Sequence, residues 1–254
     1  MSRPCPLTDE WAACYDGEHP IMEVGCAFGI STAAAARALE GRAGAGTRIL
    51  ATDMEQSHLA YVDALGIEGV RTAFCKLPSE LPDAEVRAHG GLSAIMASEV
   101  FHFMTGAEID RSLSWMHGAL VPGGAVCITA VSPFCSGFFD DSQRAEALAM
   151  RERALAGGSR WPLDPGEGFA PVFPWQRAEA RDSSWDHIDG DAAELARTKS
   201  TALHHIGLEL ADACARAGLE VESARLAWRE GYPESARLDG REAVMVVARK
   251  PSGR

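Results

Sequence analysis

The sequence predicts a doubly wound α/β fold. Seven strands form a mostly parallel sheet with helices on both faces, the last strand antiparallel, and an insertion follows strand five. Three observations predict this. Short apolar runs alternate with helical stretches from Ile21 to Val131 across short joints, the pattern of a parallel sheet covered by helices. The first run passes through a glycine turn directly into an alanine-rich helix. The alternation then stops, and a long aromatic-rich segment precedes one more helix and two more strands.

The elements can be placed in order. A leader, residues 1–19, carries one short helix over Thr8–Tyr15, with Asp9 and Glu10 in its first turn, and is expected to pack over the first strand. Strand one is Ile21–Val24, and Ser31–Leu39 is the helix after it. Arg48–Thr52 is a buried strand ending at Asp53-Met54, and Leu59, Val62 and Leu65 mark the next helix. Val70–Phe74 is strand three, residues 76–82 a proline-bounded loop, Asp83–His89 a short helix and Leu92–Ala97 strand four. Thr105 followed by Glu108 forms a capping-box start for a helix reaching Leu120. Val121-Pro122-Gly123-Gly124 reads as a sharp turn before strand five, Ala125–Val131. Asp141–Leu155 is helical, and Gly207–Ala217 is a helix ended by Gly218. Leu219–Trp228 and Ala243–Ala248 are the last strands, joined as a hairpin.

The chain has 254 residues, 46% of them hydrophobic, enough for one large domain over residues 1–254. Within it, residues 132–205 form the insertion, a lid or substrate cover. Phe134, Phe138, Phe139, Trp161, Phe169, Phe173, Trp175 and Trp185 crowd into it, so the molecule it covers is expected to have an apolar or ring portion. The net charge of −12, with no run of Lys and Arg, argues against nucleic acid. Seven scattered cysteines with no C-x-x-C pair read as small buried side chains in a reducing compartment. With no apolar leader and no long apolar run, the expectation is a cytoplasmic protein that does not enter the membrane. The adjacent pair His204-His205 lacks Cys or acidic partners at ligand spacing, so no metal site is expected.

The glycine turn carries the functional reading. Strand, turn and helix in succession bring backbone N–H groups to a nucleotide-like ligand. Aligned to the dinucleotide pattern G-x-G-x-x-G/A, the three positions are Gly25, Ala27 and Ile30. Ile30 is too large where the helix must approach the strand. The stretch Glu23-Val24-Gly25-Cys26-Ala27-Phe28-Gly29 instead reads acid-x-Gly-x-Ala-x-Gly. This resembles the first motif of the class I S-adenosylmethionine-dependent methyltransferases, with Ala27 where glycine is usual. Ala97–Phe103 resembles their fourth motif, and Leu120–Gly124 resembles their L-x-P-G-G turn. The resemblance spans roughly Ile21 to Val131.

This resemblance implies a Rossmann-like sheet and a small-molecule methyltransferase, with S-adenosylmethionine as cofactor and S-adenosylhomocysteine as product. It implies that Glu23, Gly25, Cys26, Ala27 and Gly29 cradle the cofactor, Glu23 meeting its positively charged methionine end. Asp53 would bind both ribose hydroxyls, and Met54 would pack on adenine beside Leu77 and Pro78. Ser98 and Glu99 would border the cofactor or the acceptor. Oxygen is the first acceptor atom, with nitrogen or sulfur next, in an in-line displacement that needs alignment more than a base. Candidate bases are His102, His204 and His205, against a purely structural role for each. Alternatives are a protein methyltransferase and a cofactor-binding regulatory protein of the same fold. A nicotinamide-dependent oxidoreductase is weaker, because none of Tyr15, Tyr61 and Tyr232 has a lysine four residues on.

Overall fold

A computed structural model describes residues 3–42, 46–135, 141–165, 204–230 and 237–253. In chain order the elements are α1 (Thr8–Ala13), β1 (Ile21–Val24), α2 (Ile30–Ala38), β2 (Ile49–Asp53), α3 (Gln56–Ala64), β3 (Val70–Phe74), α4 (Asp83–Ala88) and β4 (Leu92–Ser98). A 3-10 turn at Phe101–Phe103 follows, then α5 (Gly106–Ala119), β5 (Leu120–Val131), α6 (Asp141–Ala156), α7 (Glu209–Arg216), β6 (Glu220–Ala227) and β7 (Ala243–Arg249).

The strands form one sheet in the order β3-β2-β1-β4-β5-β7-β6. β1 to β5 run parallel, and β7 lies antiparallel to both β5 and β6. The expected seven-stranded, mostly parallel sheet with an inverted last strand is therefore observed. Every residue of β1, β2 and β4 is buried, as a strand covered on both faces requires, whereas the edge strand β6 is largely exposed.

Two layers cover the sheet. Met22, Val24, Leu50, Ile95, Val126 and Val244 pack with Leu113 of α5 and Leu210 of α7. Ile21, Ile49, Ala94, Met96, Cys127 and Met245 pack on the other face with Trp11 of α1 and Ala35 of α2. The leader reaches further than expected: α1 packs on α2 and on β4 and β5, in the same apolar cluster as Ile21 of β1. Its Leu7 and Trp11 have no exposed surface, and this apolar pair draws it to the centre of the sheet.

β5 also differs. The strand starts at Leu120, so the expected turn lies inside it. Leu92 pairs with Leu120 but Ala94 with Ala125, so the extra residues bulge from the ladder. The bulge stays attached because Gly123 N–H donates to Lys250 O and Lys250 N–H to Gly124 O. The capping box of α5 is formed: Glu108 accepts from Thr105 N–H at 2.8 Å, and Thr105 Oγ1 accepts from Glu108 N–H at 3.4 Å.

Of the expected insertion, residues 132–135, 141–165 and 204–205 fall within the described residues. Phe138, Phe139, Phe169, Phe173, Trp175 and Trp185 lie outside them. Trp161 is described, and it belongs to the main core, 5% exposed.

Candidate functional site

The sheet reverses its winding between β1 and β4, and in open α/β sheets ligands bind outside the strands' carboxyl ends at such a point. Several of the residues singled out in the sequence stand there. Strand alternation turns Glu23 to the same face as Ile21, beneath α2, where Thr32 Oγ1 donates to its carboxyl. Burial pushes Glu23 up to about 8 in spite of that bond. The carboxyl is thus protonated at neutral pH, where the sequence reading had a carboxylate. Its proton is bound more tightly in the folded chain than in the unfolded one. The stabilisation is complete below the ordinary value of 4.5 and is lost as pH rises through about 8. Glu23→Gln is expected to flatten the decline of stability between pH 5.5 and 8.5, by up to about 1.4 kcal/mol per pH unit. Urea denaturation across that range checks it; equal slopes in both proteins would contradict the buried protonated carboxyl.

The turn after β1 explains its own residues. Gly25 has φ +72°, and a Cβ on it would lie 2.6 Å from Val100 Cγ2. Gly29, φ +70°, opens α2, and a Cβ there would lie 3.0 Å from Val62. Ala27 also takes a left-handed backbone, φ +46°. For alanine this costs about 1–2 kcal/mol. Its N–H donates to Asp53 Oδ2 at 2.9 Å, which holds the strained residue in place. The Cys26 thiol is buried, and burial pushes its pKa far up, so it is an inert packing group.

Asp53 is the last residue of β2 and 6% exposed. Burial works to raise its carboxyl. The His58 ring and the N–H groups of Glu55 and Ala27 outweigh it, so it lies below its ordinary value and is ionised. Met54 beside it is 41% exposed. Leu77 packs against the main core, and a small loop closed by hydrogen bonds between Lys76 and Glu80 carries it and Pro78.

A second polar group gathers across β1, at the ends of β4 and β5. Glu99, directly after β4, has φ +61°, a strained conformation for glutamate. Thr129 Oγ1 of β5 donates to its Oε1 at 3.0 Å. Arg229, 1% exposed, lies with Nη1 3.5 Å from the same oxygen and donates from Nη2 to Ser98 Oγ at 3.2 Å. Cys5 of the leader closes the cluster: its N–H donates to Ser31 Oγ at 3.0 Å, and its sulfur lies 4.0 Å from Thr129 Oγ1.

The three candidate histidines come together behind this cluster. His204 N–H donates to His102 O at 2.9 Å. His204 Nδ1 lies 3.1 Å from Met104 O, and His205 Nδ1 3.3 Å from Ser132 O. His204 and His205 lie outside any helix, on the segment leading into α7. Burial holds His102 down at about 4 and His205 at about 3, and it lowers His204 as well. All three rings are neutral at pH 7 and weakly basic. His102 Nδ1 is 3.6 Å from Glu99 Oε2. Among the described residues no three His, Cys, Asp or Glu side chains are grouped to hold a metal, and no helix is long and apolar enough to cross a membrane.

Sequence reasoning missed Arg229, Thr129, Cys5 and His58. The first three reach the site only through strand order and leave no local pattern. His58 had a usable signal: it is the only histidine in the first turn of the helix that follows Asp53.

No protein family matches the sequence, and no curated protein matches it. Solved structures do resemble the fold. An S-adenosylmethionine-dependent methyltransferase from Mesorhizobium loti superposes with a TM-score of 0.53 at 19% identity, over 95% of this chain and 97% of its own. One described as a putative S-adenosylmethionine-dependent methyltransferase, from Listeria monocytogenes, gives 0.54 at 15% identity, over 95% and 98%. The [4+2]-cyclase SpnF gives 0.54 at 18% identity, over 97% and 80%. The chain therefore has the fold of the class I S-adenosylmethionine-dependent methyltransferases.

Proposed function

We propose that the protein transfers a methyl group from S-adenosylmethionine to a small-molecule acceptor, on oxygen first, with nitrogen and sulfur as the other classes. One observation carries this reading: an ionised, nearly buried Asp53 stands at the switch point, bonded to the N–H of a glycine turn too tight for other side chains at Gly25 and Gly29. A nucleoside fits such a place, because a carboxylate can accept from both hydroxyls of a ribose. Glu23, Gly25, Cys26, Ala27 and Gly29 would form the cradle. Met54, Leu77 and Pro78 would border the base, and Ser98 and Glu99 the reacting end.

When bound, the cofactor supplies a methyl group on a sulfonium, already an electrophile. The chain's share is to align the acceptor and exclude water. The low basicity of His102 and His205 favours alignment over proton removal by histidine. The segment 132–205 is proposed as the acceptor's cover. Glu23 also suits a cationic ligand: a positive charge nearby favours its ionised form, so it can release its proton as the methionine end arrives.

A second reading is a protein that binds the cofactor without methyl transfer, since one structure with this fold is described as a cyclase. Calorimetry with S-adenosylhomocysteine, S-adenosylmethionine and NADH tests the cofactor, and an acceptor screen with radiolabelled cofactor tests transfer. Folded protein that binds neither adenosyl ligand would sink the proposal. Asp53→Ala is expected to weaken S-adenosylhomocysteine binding by about 1–3 kcal/mol, the range for charge-assisted hydrogen bonds. Unchanged affinity would mean that the ribose lies elsewhere.

A further inference from the structure

Two N–H donors and one histidine ring nitrogen converge on the Asp53 carboxylate. Ala27 N–H reaches Oδ2 at 2.9 Å, Glu55 N–H reaches Oδ1 at 2.9 Å, and His58 Nδ1 lies 3.2 Å from Oδ2. The first two are backbone groups, fixed by the turn after β1 and by the start of α3. The third differs in kind. Its ring nitrogen lacks the alignment of a hydrogen bond, and the side chain is 22% exposed, so a rotation of one side chain removes it. The His58 ring sits edge-on to Phe28 at 5.1 Å, and Phe28 sits edge-on to Tyr61 at 5.4 Å. Both partners are partly open to solvent, Phe28 at 38% and Tyr61 at 49%.

A carboxylate oxygen offers about two acceptor directions. On Oδ2 they are taken by Ala27 N–H and faced by His58. On Oδ1 Glu55 N–H takes one, which leaves a single direction, while a vicinal diol needs two. We propose that His58 is a gate on Asp53: its ring stands where the second hydroxyl of the cofactor's ribose must go, and the diol displaces it on binding. This rests on the reading of Asp53 as the ribose acid.

The gate makes binding depend on pH. The charged groups facing the ring are Asp53 from the end of β2 and Glu55 at the head of α3; its other neighbours are the Phe28 ring and, beyond it, the Tyr61 phenol. The contact with Asp53 holds His58 above the ordinary histidine value against the opposing effect of burial. Displacement takes that support away, so binding releases a proton. Affinity therefore rises with pH through the histidine range and levels off above it, by at most tenfold per pH unit for one proton. Glu23 releases its own proton on binding, in His58→Phe as in the wild type, so the difference between the two pH slopes isolates His58.

The test is calorimetry with S-adenosylhomocysteine between pH 5.5 and 7 on the wild type and His58→Phe, which keeps a ring against Phe28 and removes the nitrogen. The wild type is expected to bind several-fold more weakly at pH 5.5 than at pH 7. His58→Phe is expected to bind with a shallower pH dependence and more tightly than the wild type at pH 5.5. On the unmutated protein, proton NMR of the His58 ring is expected to give a lower pKa with ligand than without. Equal pH slopes in the two proteins, or a His58 pKa that stays or rises on binding, would overturn the gate and leave the cofactor reading standing. No binding by either protein at any pH would overturn both.

Discussion

Arg229→Met is expected to destabilise the protein by about 3–5 kcal/mol, the range for breaking a buried ion pair from one side. The guanidinium is 1% exposed, lies 3.5 Å from Glu99 Oε1 and donates to Ser98 Oγ. Methionine fills much of the volume but leaves the Glu99 carboxylate, 9% exposed, without that cation. Replacing both partners, Arg229→Met with Glu99→Gln, is expected to recover about 1–3 kcal/mol, because the charge that suffers is removed as well. Urea denaturation of the two single variants and the double variant measures this coupling. A loss below about 1 kcal/mol, or simple additivity, would show that the pair is not a unit. The strained backbone of Glu99, φ +61°, gives the experiment a functional side. If the pair holds that residue in place, the double variant recovers stability without recovering activity.

Trp161→Ala is expected to cost a similar amount, about 3–5 kcal/mol, as for other buried aromatic truncations. The indole is 5% exposed and lies so close to α5 that a Cβ on Gly106 would be 2.3 Å from it. It meets the His204 ring edge-on at 5.3 Å, and the Arg216 guanidinium stands over it at 5.9 Å. Nearby Asp164 accepts from Gly106 N–H at 2.9 Å. Thermal and urea unfolding will show the loss, and what folded variant remains should bind the cofactor normally. A variant as stable as the wild type, with only acceptor binding impaired, would reassign Trp161 from the core to the acceptor pocket.

Trp161 also shows where local sequence stops being informative. An aromatic-rich insertion suggests a substrate cover, yet whether one indole faces a ligand or a glycine of α5 depends on a contact between distant segments. The strands were easier. Val70–Phe74 and Ile21–Val24 match residue for residue, because short runs rich in strand-favouring residues and bounded by Gly69 and Pro20 leave little freedom. Leu120–Gly124 was read as a turn, and its bulge belongs to β5 only because neighbouring strands hold both ends. The half of the candidate site around Asp53 was legible because it is nearly contiguous: one turn, then the acid at the end of the next strand. The half around Glu99 was not. Thr129, Arg229 and Cys5 come from a middle strand, a late loop and the leader. The histidines could be named, but the burial that makes them weak bases is a property of the packed molecule.

The inverted β7 sets an order of assembly. β6 has no neighbour other than β7, and β5 has β7 on one side. A chain emerging N-terminus first therefore holds the 12-residue β5, mostly apolar, with one edge open until Ala243–Arg249 has been made. Arg229 is made after every other member of the Glu99 cluster, so that cluster closes late. The glycine turn after β1 and Asp53 at the end of β2 can form early, while the Glu99 cluster waits for Arg229. In this protein the interval in which aggregation competes with folding is thus also the interval before the site is complete.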